Sequence, residues 1–206
     1  DHADGNEVLG ETGSWIIAHA HSRDMMTKHN TINTVVNPLV EQPPYSQAGL
    51  PIATFEQRME IFFNGEQIDL IHPGPAHTRG DAAIFFRDSN IIHMGDVFNN
   101  AGYPFIDADN GGGIEGMIAF CETVLREINP DTVVVPGHGP VAAYNDLAEY
   151  ITMLTEIRGK MMVLIGQGAT LEEVIAAKPT ENWDGRKGDP LRLIDRAYLS
   201  LTRLQN

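Results

Sequence analysis

The dipeptide Asn64-Gly65 constrains the fold more than any other part of this sequence. It lies between Met59-Glu60-Ile61-Phe62-Phe63 and Glu66-Gln67-Ile68-Asp69-Leu70-Ile71-His72. It also supplies the two positive-φ residues that a type I′ hairpin turn requires. Alternation along the second arm predicts Ile68 and Leu70 on one face, with His72 following them, and Gln67, Asp69 and Ile71 on the other. A second hairpin is predicted from Ala83-Ile84-Phe85-Phe86, a polar turn Arg87-Asp88-Ser89-Asn90, and Ile91-Ile92-His93. Apolar residues then recur at helical spacing from Ile114 to Ile128, and Asn129-Pro130-Asp131 stops them. Thr132-Val133-Val134-Val135 is a short, continuously apolar strand, as in a sheet covered on both faces. Hairpins combined with crossover helices predict an α/β domain with helices covering its sheets.

The remaining segments fill in this plan. A short helix is predicted around Glu7–Glu11, a short buried strand over Ser14–Ala18, and one or two helical turns over Ser22–Lys28. Thr31–Leu50 is rich in Asn, Pro and Gln and reads as a long connecting loop. Phe98–Gly113 is a Gly- and Asn-rich loop suited to a pocket wall, with Tyr103 and Phe105 offering apolar contact or packing within the loop. Asn145 is positioned to cap a long helix whose apolar face carries Leu147, Tyr150, Leu154, Ile157 and Met161, ending at Gly166 and Gly168. Thr170-Leu171-Glu172-Glu173 is a capping box opening a short helix. Asp189-Pro190 is an N-cap followed by proline, opening a last helix with Leu193, Ala197, Leu201 and Leu204 inward.

Chemistry concentrates where predicted strands give way to loops. His77 follows a Gly-Pro turn, Asp96 follows Met94-Gly95, and His138 stands inside Pro136-Gly137-His138-Gly139-Pro140. A loop so poor in side chains lets an imidazole project into a cleft, so His138 reads as a ligand, and His77 with it. Asp96 reads either as a ligand or as a loop cap. His and carboxylate ligands converging from separate loops are what a hydrolytic metal centre needs. Asp81 reads as a partner orienting a ligand His or as a turn cap. His19-Ala20-His21 would place both rings on one face if it were a strand, but its polar sequel Ser22-Arg23-Asp24 reads as solvated surface. His29, His72 and His93 read as surface or strand packing.

The formal charge of −14 disfavours nucleic acid and anionic lipid as partners, since no run of Lys or Arg offsets it. Cys121, the single cysteine, lies in a helical pattern and reads as a small core residue. No apolar stretch approaches the ~20 residues of a membrane span, and no signal peptide is apparent. A length of 206 residues predicts one domain spanning 1–206, or one domain and a fragment.

With these residues in hand, the chain resembles the metallo-β-lactamase-fold hydrolases. That family carries T-H-x-H-x-D-H, then G-x-x-H-T-x-G-[SD], then a G-D strand end, then G-H-G. Here Asp1-His2 resembles the end of the first motif and Gly74–Asp81 matches the second. Gly95-Asp96 matches the third, and Gly137-His138-Gly139 the fourth. The resemblance implies an αββα four-layer sandwich with a dinuclear site. Asp1, His2 and His138 would hold one metal, His77 would belong to the other, and Asp96 would bridge them. It implies a zinc-dependent hydrolase acting on a small-molecule ester, lactone, thioester or β-lactam through a metal-bridged hydroxide, with Asp1 orienting that nucleophile. Asp rather than Cys or Ser at the bridging position is more typical of glyoxalase II-like and lactonase members than of the lactamases proper. The H-x-H half of the first motif is absent, so the natural protein is expected to carry it upstream of Asp1. A metal-free binding protein and a redox di-iron member of the same fold are the alternatives.

Overall fold

The computed structural model describes residues 2–35 and 39–203. The chain opens with α1 (Asn6–Glu11), β1 (Ile17–His19), α2 (Ala20–Met26), β2 (Asn30–Ile32), β3 (Val40–Gln42) and β4 (Ala53–Phe55). The hairpin strands follow as β5 (Arg58–Phe63), β6 (Glu66–Ile71), β7 (Ala83–Phe86) and β8 (Ile91–His93). Then come α3 (Ile114–Glu127), β9 (Val133–Val135), β10 (Ala142–Ala143), α4 (Tyr144–Gly166), α5 (Leu171–Ala176), α6 (Glu181–Lys187) and α7 (Leu191–Arg203).

The central feature is a six-stranded sheet ordered β10-β9-β8-β7-β6-β5. Both predicted hairpins form it, and Asn64 (φ 52°) and Gly65 (φ 76°) adopt the left-handed pair that the first turn demands. β8 and β9 run parallel, joined by the crossover helix α3. Strand direction therefore reverses at β6-β7 and β7-β8 but not at β8-β9. The register aligns Ile71 with Ala83, Ile84 with His93, and His93 with Val135. The C-terminal ends of β6, β8 and β9 thus share one edge of the sheet. The loops bearing His77, Asp96 and His138 all leave from that edge.

Phe85, Ile92 and Val134, neighbours across three strands, are buried in one core with Met117, Cys121 and Val124 of α3 and Leu147, Leu154 and Ile157 of α4. At about 25 cal/mol per Å² of apolar surface, each such side chain contributes roughly 1.5–3 kcal/mol, which makes this helix-on-sheet layer the main source of stability. Leu193, Ala197 and Leu201 of α7 join it, as the apolar spacing predicts; Leu204 lies outside the described residues.

Several local expectations change. Within Thr31–Leu50, β2 and β3 form an antiparallel pair rather than a plain loop. The strand expected over Ser14–Ala18 is β1, beginning at Ile17 and pairing in parallel with β4. Val133 is 40% exposed, so β9 is covered on one face only. α4 is capped by Asp146, whose Oδ2 accepts the Ala143 N–H at 2.8 Å, and not by Asn145. Asp69, expected to share a face with Ile71, is only 1% exposed. Its carboxylate accepts from Arg58 (2.8 Å), Arg87 (2.7 Å) and Gln67 (3.1 Å), which is how a carboxylate is kept charged inside a sheet.

Candidate metal centre

Each of the three strand ends presents its side chain for a local reason. Gly95 at φ 52° turns the chain out of β8 into a 3₁₀ turn, Gly95–Val97, that carries Asp96. Gly137 precedes His138, and a Cβ there would stand 2.1 Å from Asp96 Oδ1; only glycine lets the two loops approach this closely. Gly139, at φ 99°, turns the chain away again. His77 sits in a turn closed by Asp81, whose two carboxylate oxygens accept the Thr78 N–H (2.8 Å) and the Thr78 hydroxyl (3.0 Å). Asp81 is thus a turn cap, and it touches no ligand histidine ring among the described residues. His2 reaches the same place from the N-terminal segment. That segment is held by Tyr45 Oη, which donates to Asp4 at 2.9 Å, and by Gly10 of α1, where a Cβ would meet the Ala48 carbonyl at 1.8 Å.

The result is one constellation. His2 Nε2 lies 3.2 Å from His138 Nε2, and Asp96 Oδ1 lies 3.0 Å from the first and 3.4 Å from the second. His2, Asp96 and His138 offer ligand atoms that all lie within 4.8 Å of one another. On the other side of the carboxylate, Asp96 Oδ2 lies 3.7 Å from His77 Nε2. Asp1 lies outside the described residues.

Two observations test whether these groups suit a cation. Asp96 Oδ1 is buried yet makes no hydrogen bond of proper geometry among the described residues, although two imidazole nitrogens stand close by. A buried carboxylate oxygen without a partner is costly. The second observation concerns His77, whose Nδ1 lies 2.9 Å from the Phe105 carbonyl. A carbonyl only accepts, so Nδ1 bears the proton, and in the neutral ring Nε2 presents a lone pair to Asp96 Oδ2. Acceptors facing one another repel unless a positive centre lies between them. Histidine nitrogen and carboxylate oxygen form a suitable donor set for zinc and for iron, and a backbone carbonyl fixing the ligand tautomer is the usual supporting contact. The residues fit a metal centre.

The other histidines are elsewhere. β1 ends at His19, whose Nδ1 accepts the His21 N–H to cap α2, and His21 lies inside that helix, so the two do not share a strand face. His72 stacks on His19 with centroids 4.0 Å apart and donates Nδ1–H to the Asp81 carbonyl at 2.6 Å. His29 is exposed beside Glu41. His93 is half-buried, and burial lowers its pKa. Tyr103 does not offer a free ring to the cleft, because its hydroxyl donates to Asp184 Oδ1 at 2.8 Å. Phe105 does reach the site, by its carbonyl and by an edge-on contact with the His77 ring. No side-chain pattern could signal a main-chain acceptor of this kind.

Comparison with known proteins places the chain's fold. The family model of the metallo-beta-lactamase superfamily matches residues 1–152. A curated relative, the hydroxyacylglutathione hydrolase GloC of Haemophilus influenzae, is 30% identical over 97 residues, covering 47% of this chain and 45% of its own. The chain spans less than half the length of the curated relatives it matches. Among solved structures, a metallo-beta-lactamase from Pontibacter korlensis superposes with a TM-score of 0.58 at 17% identity, covering 75% of this chain and 64% of that one. The protein TTHA1623 in a di-iron-bound form gives 0.53 at 20% identity, covering 72% and 69%. These likenesses establish the shared fold.

Proposed function

The chain belongs to the metallo-beta-lactamase superfamily, and from that premise we propose that it is a zinc-dependent hydrolase cleaving the carbonyl bond of a small-molecule ester, lactone, thioester or β-lactam. The observation that carries the proposal is the placement of Asp96, whose two oxygens face different histidines: His2 and His138 on one side, His77 on the other. A carboxylate in that position suits a bridge between two cations. His2 and His138 would hold one of them together with Asp1, and His77 would contribute to the other. Bound there, a divalent cation supplies a Lewis acid and lowers the pKa of water from 15.7 towards about 7.

The chain's own residues then have defined tasks. The Phe105 carbonyl keeps His77 in the tautomer whose Nε2 can ligate. Asp96 would bring negative charge that offsets a bound cation, with one oxygen towards His2 and His138 and the other towards His77. Asp1, as a second carboxylate beside His2, is assigned the orientation of the attacking water. None of these steps uses a nucleophilic side chain, in keeping with the burial of Cys121. The similarity to a hydroxyacylglutathione hydrolase favours a thioester within this substrate set.

The likeness to a di-iron-bound protein supports a second reading, in which the same donors hold iron. One experiment separates the two. Metal analysis of the purified protein should find zinc, followed by turnover of a thioester, a lactone or a chromogenic cephalosporin. Iron in place of zinc, with no hydrolysis of any of the three, would favour the second reading, and protein free of metal after purification in zinc would sink both.

A further inference from the structure

Residues 99–109 touch both sides of the site. The Asn100 N–H donates to the His138 carbonyl at 2.9 Å, and Asn99 forms a bridge with His138. Further along, the Phe105 carbonyl accepts from His77 Nδ1, and the Asp107 N–H donates to the His77 carbonyl at 2.9 Å. One loop thus fixes the main chain of His138 and both the ring and main chain of His77.

That loop is itself held from outside. Tyr103 Oη, which donates to Asp184 Oδ1 at 2.8 Å, also lies 3.2 Å from the Thr180 carbonyl, where α6 begins. Gly102 passes so close to the end of α6 that a Cβ there would stand 3.1 Å from the Lys187 carbonyl. At the other end, Asp109 accepts from Arg196 (2.8 Å) and Arg203 (2.9 Å) of α7, and Arg196 is only 6% exposed. Within the loop, Asn99 Nδ2 donates to the Tyr103 carbonyl at 3.3 Å, which links the anchor at Tyr103 to the strand bridge at His138. Every one of these holding groups on α6 and α7 comes from the region after residue 152, where the family match ends.

We infer that α6 and α7 form a clamp that positions the site, with Tyr103 and Arg196 as positioning residues acting through residues 99–109 on His77 and His138. The inference rests on the metal reading for its consequence and on the contacts themselves for its structure. The clamp explains why a loop so rich in small residues holds two histidines at fixed places. Freed at Tyr103, the segment between Asn99 and Phe105 is held from outside only at its start, by Asn99 and Asn100 on His138 and Pro140, and the Phe105 carbonyl is less firmly held against His77.

The test uses Tyr103→Phe, which keeps the ring and removes the donor, and Asp184→Asn, which keeps an acceptor for the Tyr103 hydroxyl. Thr170→Ala serves as control, since it weakens the α5 cap without touching the loop. Two quantities are read: amide hydrogen exchange at Asn100 and Asp107 in metal-free protein, and Zn²⁺ affinity by chelator competition. Tyr103→Phe is expected to speed exchange at both amides and to weaken zinc binding by roughly 10- to 100-fold, the usual cost of losing support to a ligand. Asp184→Asn should stay near wild type, and Thr170→Ala should change neither quantity. Wild-type exchange and affinity in Tyr103→Phe would overturn the clamp. If the wild-type protein takes up no zinc, the metal reading fails by itself, and the exchange measurement decides the clamp alone.

Discussion

Asp96 Oδ1 and His2 Nε2 stand 3.0 Å apart without forming a proper hydrogen bond. An imidazole nitrogen and a carboxylate oxygen held this close suit a cation that both could ligate. Asp96→Asn removes the charge but keeps the shape. It should weaken zinc binding by on the order of 100-fold or more, since even an outer supporting contact costs 10- to 100-fold. Chelator competition measures this, and an unchanged affinity would remove Asp96 from the ligand set.

The histidines outside the site make stability depend on pH. His19 has its pKa lowered by burial and then by the neighbouring His72, His21 by burial and then by Arg79, and His93 by burial and then by His2. Folded pKa values below the unfolded value of about 6.5 mean that the unfolded chain binds more protons in that window. Stability is therefore complete above about pH 6.5 and is lost as pH falls through the folded values. In chelator-treated protein, Tm should decline as pH falls below about 6.5. His19→Asn, which keeps an acceptor for the His21 amide, should flatten that decline; an equal slope in the variant would refute the assignment.

Asp69→Ala should destabilise the chain by about 2–3 kcal/mol without altering zinc affinity. Arg58 and Arg87 lose their shared acceptor, though the half-exposed Arg58 regains water. Urea denaturation gives the first quantity and chelator competition the second. A loss of zinc affinity would mean that the Asp69 network and the site edge are coupled.

Cys121 should be inert in the folded protein. Its thiol is fully buried, and that burial pushes its pKa up, so little thiolate forms. Labelling by a disulfide reagent should follow the unfolding rate, and Cys121→Ala should keep any hydrolytic activity. Rapid labelling under native conditions would contradict this picture.

What the residues disclosed in advance follows from distance along the chain. The Asn64-Gly65 turn, the Thr170 capping box with its 2.8 Å return bond from Glu173, and the Asp189 cap on Leu191 each need atoms only a few positions apart. His77, Asp96 and His138 were legible as strand-end residues because glycines and prolines mark those ends. The buried Asp69, the helix α6 and the commitment of Tyr103 to Asp184 depend on partners far away in sequence, which neither alternation nor spacing encodes. Asn145 and Asp146 are adjacent candidates for one cap, and only the backbone geometry selects between them.

His2 and His138 meet at 3.2 Å although 136 positions separate them. An ion gripped by both would therefore also be a cross-link, closing a ring through most of the polypeptide. Closing a ring that long restricts the unfolded chain far more than a local contact does, and an ion that binds only the folded form shifts the equilibrium further as its concentration rises. In such a protein the reagent for chemistry and the fastener for the architecture are the same atom.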